Sequence, residues 1–186
     1  MSIIGITGSI ASGKTTAANL MAGKKYPLFN ADKVVSNLYK DKKFIKILTK
    51  KFKLNKNKKI KEQIKLIIKK NKKKIFKLEK IIHPLVRRKM KTFLKKKNKF
   101  LFLEIPLLIE SKLKKNFDKL VFINANKKIR LKRYLKRKGN KKTFNLLNNR
   151  QVSPAIKKKI CDYTINNNNT LAIFKKNIKD FIKHYE

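Results

Sequence analysis

Residues 8–15 of this chain read GSIASGKT and match the pattern G-x-x-x-x-G-K-[ST] in full. The β-branched run just before them, at residues 3–6, predicts a short buried strand. Residues 14–22 place apolar side chains at helical spacing and stop before Gly23, so they predict a helix. The motif therefore lies between a strand and a helix, which is the setting in which it cradles phosphate groups.

The residue types of this motif suit an anionic ligand. Glycines let main-chain N–H groups turn inward as a nest, and the amino terminus of the helix adds about half a positive charge. We expect Lys14 to reach the β- and γ-phosphates of ATP and the Thr15 hydroxyl to ligate magnesium. The alternative interpretation is an ordinary glycine turn between a strand and a helix.

The rest of the sequence predicts an α/β fold with a parallel sheet. FLFLEI at 100–105 and KLVFIN at 119–124 are almost continuously apolar, which suits strands buried on both faces of such a sheet. From Val34 to about Lys97 the chain has no glycine, one proline and helical spacing of its apolar residues, so we expect a helical insert there. The remaining predicted elements are strands at 27–30 and 162–165 and helices at 127–138, 141–150 and 170–185.

Asp32 is the first carboxylate after the motif, and it follows the predicted strand at 27–30. Ligands of open α/β sheets bind at the carboxyl ends of the strands, so this carboxylate is a candidate to accept the proton of an attacking hydroxyl. The alternative is that Asp32 caps a helix beginning at Lys33.

Three further side chains are weaker candidates for chemistry. Glu104 and Glu110 bracket residues 105–109 at the end of a predicted buried strand and could hold magnesium or its water, help bind an acceptor, or cap a helix. His83 has no second ligand at metal-binding spacing, which leaves acceptor binding or a hydrogen bond at a helix boundary.

Arg130, Arg133 and Arg137 recur at i, i+3 and i+7 and so share one face of a predicted helix. Aimed at a triphosphate, they could neutralise the charge of the transferring group. The alternative is a solvated basic face.

The net charge of +43, from 53 basic and 10 acidic residues, has two explanations. Clustered lysine and arginine can bind nucleic acid or an anionic membrane. Lysines occur along the whole chain, however, and accompany many Asn, Ile and Phe residues, all of which A/T-rich codons specify. We therefore attribute the excess chiefly to genome composition and expect nucleic acid to bind only nonspecifically, if at all.

Cysteine usage and hydropathy restrict the cellular setting. The single Cys161 cannot form an intramolecular disulfide, and two histidines make no metal-ligand cluster. No segment reaches the roughly 18 to 20 apolar residues that cross a bilayer, and no basic region precedes the first apolar segment. We expect no membrane span, no secretory signal, and a reducing cytoplasmic location.

In this order the segments resemble the dephospho-coenzyme A kinase family, the P-loop kinases that complete coenzyme A synthesis. The resemblance includes ITGSIASGKTT at 6–16, Asn30-Ala31-Asp32 where the family has Asp-Ala-Asp, and IIHPLV at 81–86. It continues through IPLLIE at 105–110, the arginine-bearing RLKRYLKR at 130–137, and Gln151 with CDYTINN at 161–167.

The resemblance implies transfer of the γ-phosphoryl group of ATP to the ribose 3′-hydroxyl of dephospho-coenzyme A, with magnesium. It also implies a P-loop three-layer fold with a five-stranded parallel sheet. The core would comprise 1–33 and 99–186, with a helical lid at about 127–150 and a helical acceptor-binding insert at 34–98. The alternatives are another P-loop nucleoside or nucleotide kinase and a basic, nucleic-acid-stimulated ATPase.

Site roles follow from the resemblance by position. The implied ATP-binding residues are Ala11, Ser12, Gly13, Lys14, Thr15 and Thr16, with Thr15 also at the metal. The implied catalytic residues are Asp32, Lys14, Arg133 and Arg137, and the implied acceptor-binding residues are Asp32, His83, Pro84 and Glu110.

Overall fold

A five-stranded parallel sheet organises the part of the chain that the computed structural model describes, residues 1–55, 57–71, 73–111 and 113–185. Its strands are β1 (Ser2–Gly8), β2 (Leu28–Asn30), β3 (Phe100–Glu104), β4 (Lys119–Asn124) and β5 (Tyr163–Asn166). They lie in the order β2-β3-β1-β4-β5, and every neighbouring pair is parallel. The carboxyl ends of all five strands therefore meet at one edge of the sheet, as expected for an α/β fold that binds its ligand there.

Helices supply the rest of the regular structure. They are α1 (Lys14–Ala22), α2 (Ala31–Leu38), α3 (Lys42–Phe52), α4 (Ile60–Lys70), α5 (Lys74–Leu94), α6 (Lys127–Lys136), α7 (Lys141–Asn149), α8 (Pro154–Ile160) and α9 (Leu171–Tyr185), with a short 3-10 helix at Lys114–Asn116. Among the described residues, no helix has both the length and the low polarity that a bilayer crossing requires.

The predicted strands and helices are confirmed, with end points that differ by at most two residues. Helix α8 was not predicted, although its start carries a recognisable signal. Ser153 accepts a hydrogen bond from the N–H of Ile156 at 3.3 Å, and Pro154 occupies the first helical position, where its missing N–H costs nothing.

Apolar side chains bury both faces of the sheet. On one face Ile4 and Ile6 of β1 pack with Ala17 of α1 and Phe174 of α9. On the strands themselves, successive residues such as Phe102 and Leu103 are both at most 1% exposed. Because neighbouring strand residues point to opposite faces, such continuous burial is what a parallel sheet covered on both sides requires.

The chain divides into two compact units. One comprises Met1–Asn30 with Lys96–Glu186, and the other comprises Ala31–Lys95. The sequence analysis placed the insert at 34–98, three residues later at each end. The sheet, the glycine-rich loop and helices α1 and α6 to α9 all belong to the first unit.

The second unit is wholly helical among its described residues, comprising α2 to α5. Its core is formed by apolar side chains from these helices and one connecting segment: Leu38, Phe44, Leu48, Leu54, Ile64, Leu78 and Ile82. The start of α3 is fixed by Asp41, whose carboxylate accepts a hydrogen bond from the N–H of Phe44 at 2.9 Å.

Two local alternatives from the sequence analysis are wrong. Helix α2 begins at Ala31, so Asp32 lies in its first turn and does not cap a helix beginning at Lys33. His83 and Pro84 lie inside the 21-residue helix α5, not at a boundary. The helix continues past a proline because burial of Leu78 and Ile82 in the unit's core offsets the one backbone hydrogen bond that Pro84 cannot donate.

Candidate active site

The glycine-rich loop between β1 and α1 has the backbone geometry of an anion nest. Gly13 has φ +97°, in the left-handed region, and Ala11 has φ +59°, which is uncommon for a residue with a side chain. A Cβ at Gly8 would lie 2.6 Å from the Ile123 carbonyl oxygen, so only glycine fits there. A positive φ at a non-glycine residue marks a backbone that surrounding contacts hold in place, which is common at ligand-binding loops.

The motif lysine and serine are enclosed by the loop. Lys14 is 9% exposed, and its Nζ donates a hydrogen bond to the Ser9 carbonyl oxygen at 2.9 Å. Ser12 is fully buried, and its Oγ meets no hydrogen-bond partner within the described residues. Gly13 has no side chain to cap α1, so no capping side chain at this position competes with a ligand for the first N–H groups of that helix.

Thr15, Glu104 and Asn30 form a polar cluster beside the loop. The Thr15 hydroxyl donates to Glu104 Oε1 at 2.7 Å, and the Asn30 amide donates to Glu104 Oε2. Glu104 is only 2% exposed, so its charge depends on these partners. Magnesium takes oxygen ligands from proteins, and a hydroxyl and a carboxylate oxygen lie together here at the end of the phosphate loop. The residues present therefore fit this ion.

Side chains that are distant in sequence form hydrogen bonds to the backbone of the loop, outside the nest. Gln151 Oε1 accepts a hydrogen bond from the N–H of Ile10 at 2.8 Å, and Arg130 Nη1 donates to the carbonyl oxygen of Ile10 at 3.3 Å. The Asn167 amide donates to the Ser12 carbonyl oxygen at 2.8 Å. The backbone N–H and carbonyl of Ile10 and the carbonyl of Ser12 therefore form hydrogen bonds outside the nest.

A cavity of about 510 Å³ lies next to this loop. Ser9 and Arg130 border it, and amide side chains form much of its wall: Asn124, Asn126, Asn148, Asn149 and Gln151. The space beside the loop is therefore suited to a polar ligand.

A family model described as dephospho-CoA kinase matches residues 2–172 of the sequence. The chain belongs to the dephospho-CoA kinase family.

Individual relatives agree with this assignment. A dephospho-CoA kinase of Bartonella henselae is 41% identical over 96 residues, which are 50% of this chain and 49% of that protein. The aligned region thus spans about half the length of such curated relatives. The solved dephospho-CoA kinase from Campylobacter jejuni is 28% identical, with a TM-score of 0.69 over 98% of this chain and 96% of its own. A protein from Thermus thermophilus, 24% identical, has the same fold, with a TM-score of 0.83 over 100% and 98% of the two chains.

The three arginines that share a helix face in the sequence occupy different environments in this member of the dephospho-CoA kinase family. Arg130 is 2% exposed and also donates to the Ala125 carbonyl oxygen and to Asn148 Oδ1, both at 2.9 Å. Arg130 is therefore not part of a solvated face. It donates to the loop and lines the cavity beside it, and its contact with a triphosphate stays a prediction. Arg137 is exposed at the end of α6.

Arg133 lies between these extremes. Its Nη2 donates to Asn167 Oδ1 at 3.1 Å, while its Nη1 is buried without a hydrogen-bond partner among the described residues. Burial lowers the pKa of Arg133, and the charge of Arg137 lowers it further. A buried guanidinium nitrogen without an acceptor is costly, so a phosphate oxygen in contact with it would relieve that cost.

Glu110 forms an ion pair that the sequence analysis did not anticipate. Its Oε1 lies 3.0 Å from Nζ of the fully buried Lys157 and accepts a hydrogen bond from the N–H of Val152 at 2.9 Å. The lysine makes no hydrogen bond of good geometry within the described part of the chain, despite the short distance. The carboxylate thus attaches the segment after β3 to the start of α8.

The other predicted site residues are distributed over both units. Thr16 is exposed in the first turn of α1. Asp32 is exposed, His83 half-buried and Pro84 exposed, all within Ala31–Lys95. Sequence reasoning missed the structural roles of Gln151 and Asn167, although the family resemblance had included both residues.

Proposed function

We propose that this chain is an ATP-dependent dephospho-CoA kinase, which phosphorylates the ribose 3′-hydroxyl of dephospho-coenzyme A. The observation that carries the proposal is the match of the family model to residues 2–172, together with a complete phosphate loop in that stretch. ATP and dephospho-coenzyme A are then its two substrates. The cytoplasmic location expected from cysteine usage stays a prediction.

ATP binds through the loop in this proposal. The phosphates take the main-chain N–H groups of Ala11 and Gly13, and those of the first turn of α1, where Thr15 and Thr16 lie. The Ser12 N–H donates to the Ser9 carbonyl oxygen at 3.1 Å in this structure, and it exchanges this acceptor for a phosphate oxygen. The Lys14 ammonium donates a hydrogen bond to the Ser9 carbonyl oxygen in this structure. When ATP binds, the ammonium contacts the β- and γ-phosphates instead. The outward hydrogen bonds of Ile10 and Ser12 support this, because they keep the loop in shape without using its inward N–H groups.

Thr15 and Glu104 are the residues that would hold magnesium or the waters around it. When bound, the ion neutralises charge on the β- and γ-phosphates. Glu104 accepts the Thr15 hydroxyl hydrogen bond in this structure, so the two oxygens already lie together. The Asn30 amide keeps the carboxylate oriented from the other side.

In the proposed reaction Asp32 receives the proton of the acceptor hydroxyl. The 3′-oxygen forms a bond to the γ-phosphorus, the bond from that phosphorus to the β–γ bridging oxygen breaks, and ADP leaves. Asp32 is exposed and lies two residues along the chain from Asn30, whose side chain belongs to the Glu104 cluster. Arg133 and Arg137 are proposed to neutralise charge on the transferring group, and the buried Nη1 of Arg133 supports this role.

The proposed acceptor-binding residues come from both units. His83 and Pro84 are proposed to contact dephospho-coenzyme A, and the helical unit Ala31–Lys95 to bind it. An acceptor-binding role for Glu110 stays a prediction. In this structure its carboxylate is paired with Lys157.

A coupled assay of ADP release tests the proposal. Dephospho-coenzyme A should support turnover that requires magnesium, whereas uridine and nucleoside monophosphates should not. Turnover with those alternative acceptors and none with dephospho-coenzyme A would assign the chain to another kinase activity. Stimulation of ATP hydrolysis by RNA, with a steep salt dependence, would instead indicate the nucleic-acid-dependent ATPase.

A further inference from the structure

The Asn167 side chain connects the phosphate loop to Arg133. Its Nδ2 donates to the Ser12 carbonyl oxygen at 2.8 Å, and its Oδ1 accepts from Arg133 Nη2 at 3.1 Å. The residue is 6% exposed, so neither hydrogen bond has much competition from water. One planar amide therefore fixes a distance between the loop and one arginine of α6.

The fold places this amide firmly. The N–H of Asn167 donates to the Asn124 carbonyl oxygen at 2.8 Å, directly beyond the register pair Asn124 and Asn166 of β4 and β5. A Cβ at Gly13 would overlap Asn167 Nδ2. The second glycine of the motif thus makes room for Asn167, in addition to adopting a positive φ.

The amide of Asn167 satisfies both neighbours. A carbonyl oxygen can only accept a hydrogen bond, and a guanidinium can only donate, so the residue between Ser12 and Arg133 must donate at one end and accept at the other. Aspartate would keep the acceptor for Arg133 and lose the donor to Ser12. An aliphatic side chain would lose both.

The other end of the arginine has no acceptor in the described structure. Asn167 takes Nη2, whereas Nη1 is buried and unpartnered. Since the buried nitrogen carries part of a positive charge, an anionic oxygen is the acceptor that suits it best. Asn167 thus sets the distance between the phosphate loop and the Arg133 guanidinium, whose Nη1 is buried and can donate to an anion.

We propose that Asn167 is a positioning residue that aligns Arg133 with the phosphate held by the loop at residues 8–15. This inference rests on the proposed kinase function for its kinetic part. Asn167 acts on catalysis through Arg133 and on ATP binding through Ser12. The two effects are separable because they use different atoms of one side chain.

The test is a double-mutant cycle with Arg133→Ala, Asn167→Ala and the double variant, with kcat and the KM for ATP measured separately. Loss of Arg133 should lower kcat on the order of 10²-fold, as for one charge-stabilising donor. Loss of Asn167 should lower kcat at least about tenfold, through misplacement of the arginine. The double variant should have the kcat of Arg133→Ala alone. The proposal would be overturned if the two single-variant losses in kcat multiplied in the double variant. An unchanged kcat in Asn167→Ala would also overturn it.

Asn167→Asp separates the two parts of the inference, the arginine arm (Asn167 to Arg133) and the loop arm (Asn167 to Ser12). It also covers the case in which Asn167→Ala does not fold. It should keep kcat within about threefold of the wild type, because the acceptor for Arg133 remains, but weaken ATP binding at least about fivefold. Asn166→Ala is the matched control: it removes a neighbouring asparagine whose Oδ1 bonds only Asn124 among the described residues, so both quantities should stay unchanged. Equal effects of Asn167→Asp and Asn166→Ala would contradict the assignment.

Binding of a non-hydrolysable ATP analogue, measured by calorimetry, keeps this test independent of the acceptor. If the wild type does not phosphorylate dephospho-coenzyme A, the proposed function fails. The loop arm of the inference still stands if Asn167→Asp alone weakens analogue binding, and falls if it does not.

Discussion

The Asn30 amide, at the end of β2, donates a hydrogen bond to the Glu104 carboxylate, at the end of β3. The two residues are also partners in the register of the sheet, so the backbone brings them together. Thr15 contacts the other oxygen of the same carboxylate. The family pattern has aspartate where this chain has Asn30. In this chain a neutral amide therefore faces the buried carboxylate.

Replacement of Glu104 by glutamine should separate charge from shape at this cluster. Glu104→Gln keeps the volume of the side chain but removes the negative charge that would attract magnesium. We expect the magnesium concentration for half-maximal activity to rise at least about tenfold, with smaller changes in ATP-analogue binding without metal. A magnesium titration of the ADP-release assay measures this. An unchanged magnesium requirement would show that Glu104 does not act at the metal.

Asn30→Asp should make stability more dependent on magnesium. It places two carboxylates at neighbouring strand ends, and their repulsion lowers the melting temperature in EDTA by several degrees, or about 1–2 kcal/mol. Magnesium without nucleotide should restore the loss, because it screens both charges. Asn145→Asp, on an exposed position of α7, controls for the added negative charge in a chain of net charge +43. The same response in both variants would argue against a local effect.

Lys14→Ala and Asp32→Asn should each lower turnover on the order of 10²-fold or more while the fold persists. The lysine variant loses charge at the phosphates, so its KM for ATP should also rise. The aspartate variant loses the proton acceptor, so its loss should fall on kcat. Steady-state kinetics with circular dichroism as the folding control will separate the two. A near-wild-type kcat for Asp32→Asn would end its assignment as the base.

The buried pair Glu110 and Lys157 should matter for stability more than for acceptor binding. Lys157→Met removes one partner and leaves the carboxylate largely buried, which should cost about 3 kcal/mol in urea unfolding. Adding Glu110→Leu should recover much of this loss, because neither charge then remains buried. The KM for dephospho-coenzyme A of the double variant should match that of the wild type. A large increase in this KM would instead support the predicted acceptor-binding role of Glu110.

Cys161 should be unreactive in the folded protein. Burial raises the pKa of its thiol to about 11, although the Lys157 ammonium lowers it in part. At pH 8 iodoacetamide should therefore alkylate the thiol much faster in denaturant than in buffer. The unfolded chain releases this proton at lower pH than the folded chain, so the stability contributed by the thiol declines between about pH 9 and pH 11. Cys161→Ala should lack this part of the decline, and rapid alkylation of the native protein would contradict the prediction.

The distribution of carboxylates bears on the large positive charge. Asp118 Oδ2 accepts from the N–H of Ile3 at 2.7 Å, and Asp162 Oδ2 accepts from the N–H of Leu120 at 2.7 Å, each near the start of a strand. Both aspartates are exposed, as are Asp32 and Asp41, so the fold does not confine acidic residues to its interior. The position of the carboxylates therefore gives no structural explanation for the net charge of +43, and genome composition stays the predicted cause.

The sequence by itself determined the strands, helices α1, α6, α7 and α9, the helical character of the insert and the phosphate loop, because each depends on residues close together in the chain. A β-branched run, a helical spacing or the glycines of residues 8–15 carry the information locally. The same local patterns could not separate Arg130 from Arg133, since both lie on one face of one helix.

Only the tertiary structure decided which side chains support that loop. The hydrogen bond from Asn167 to Ser12 joins residues 155 positions apart, and that from Ile10 to Gln151 joins residues 141 apart. Such pairs depend on the order of the strands in the sheet, which brings the ends of β1, β4 and β5 side by side. Hydrogen bonds need their atoms within about 3 Å, and a linear pattern of residue types carries no information on distances across the fold.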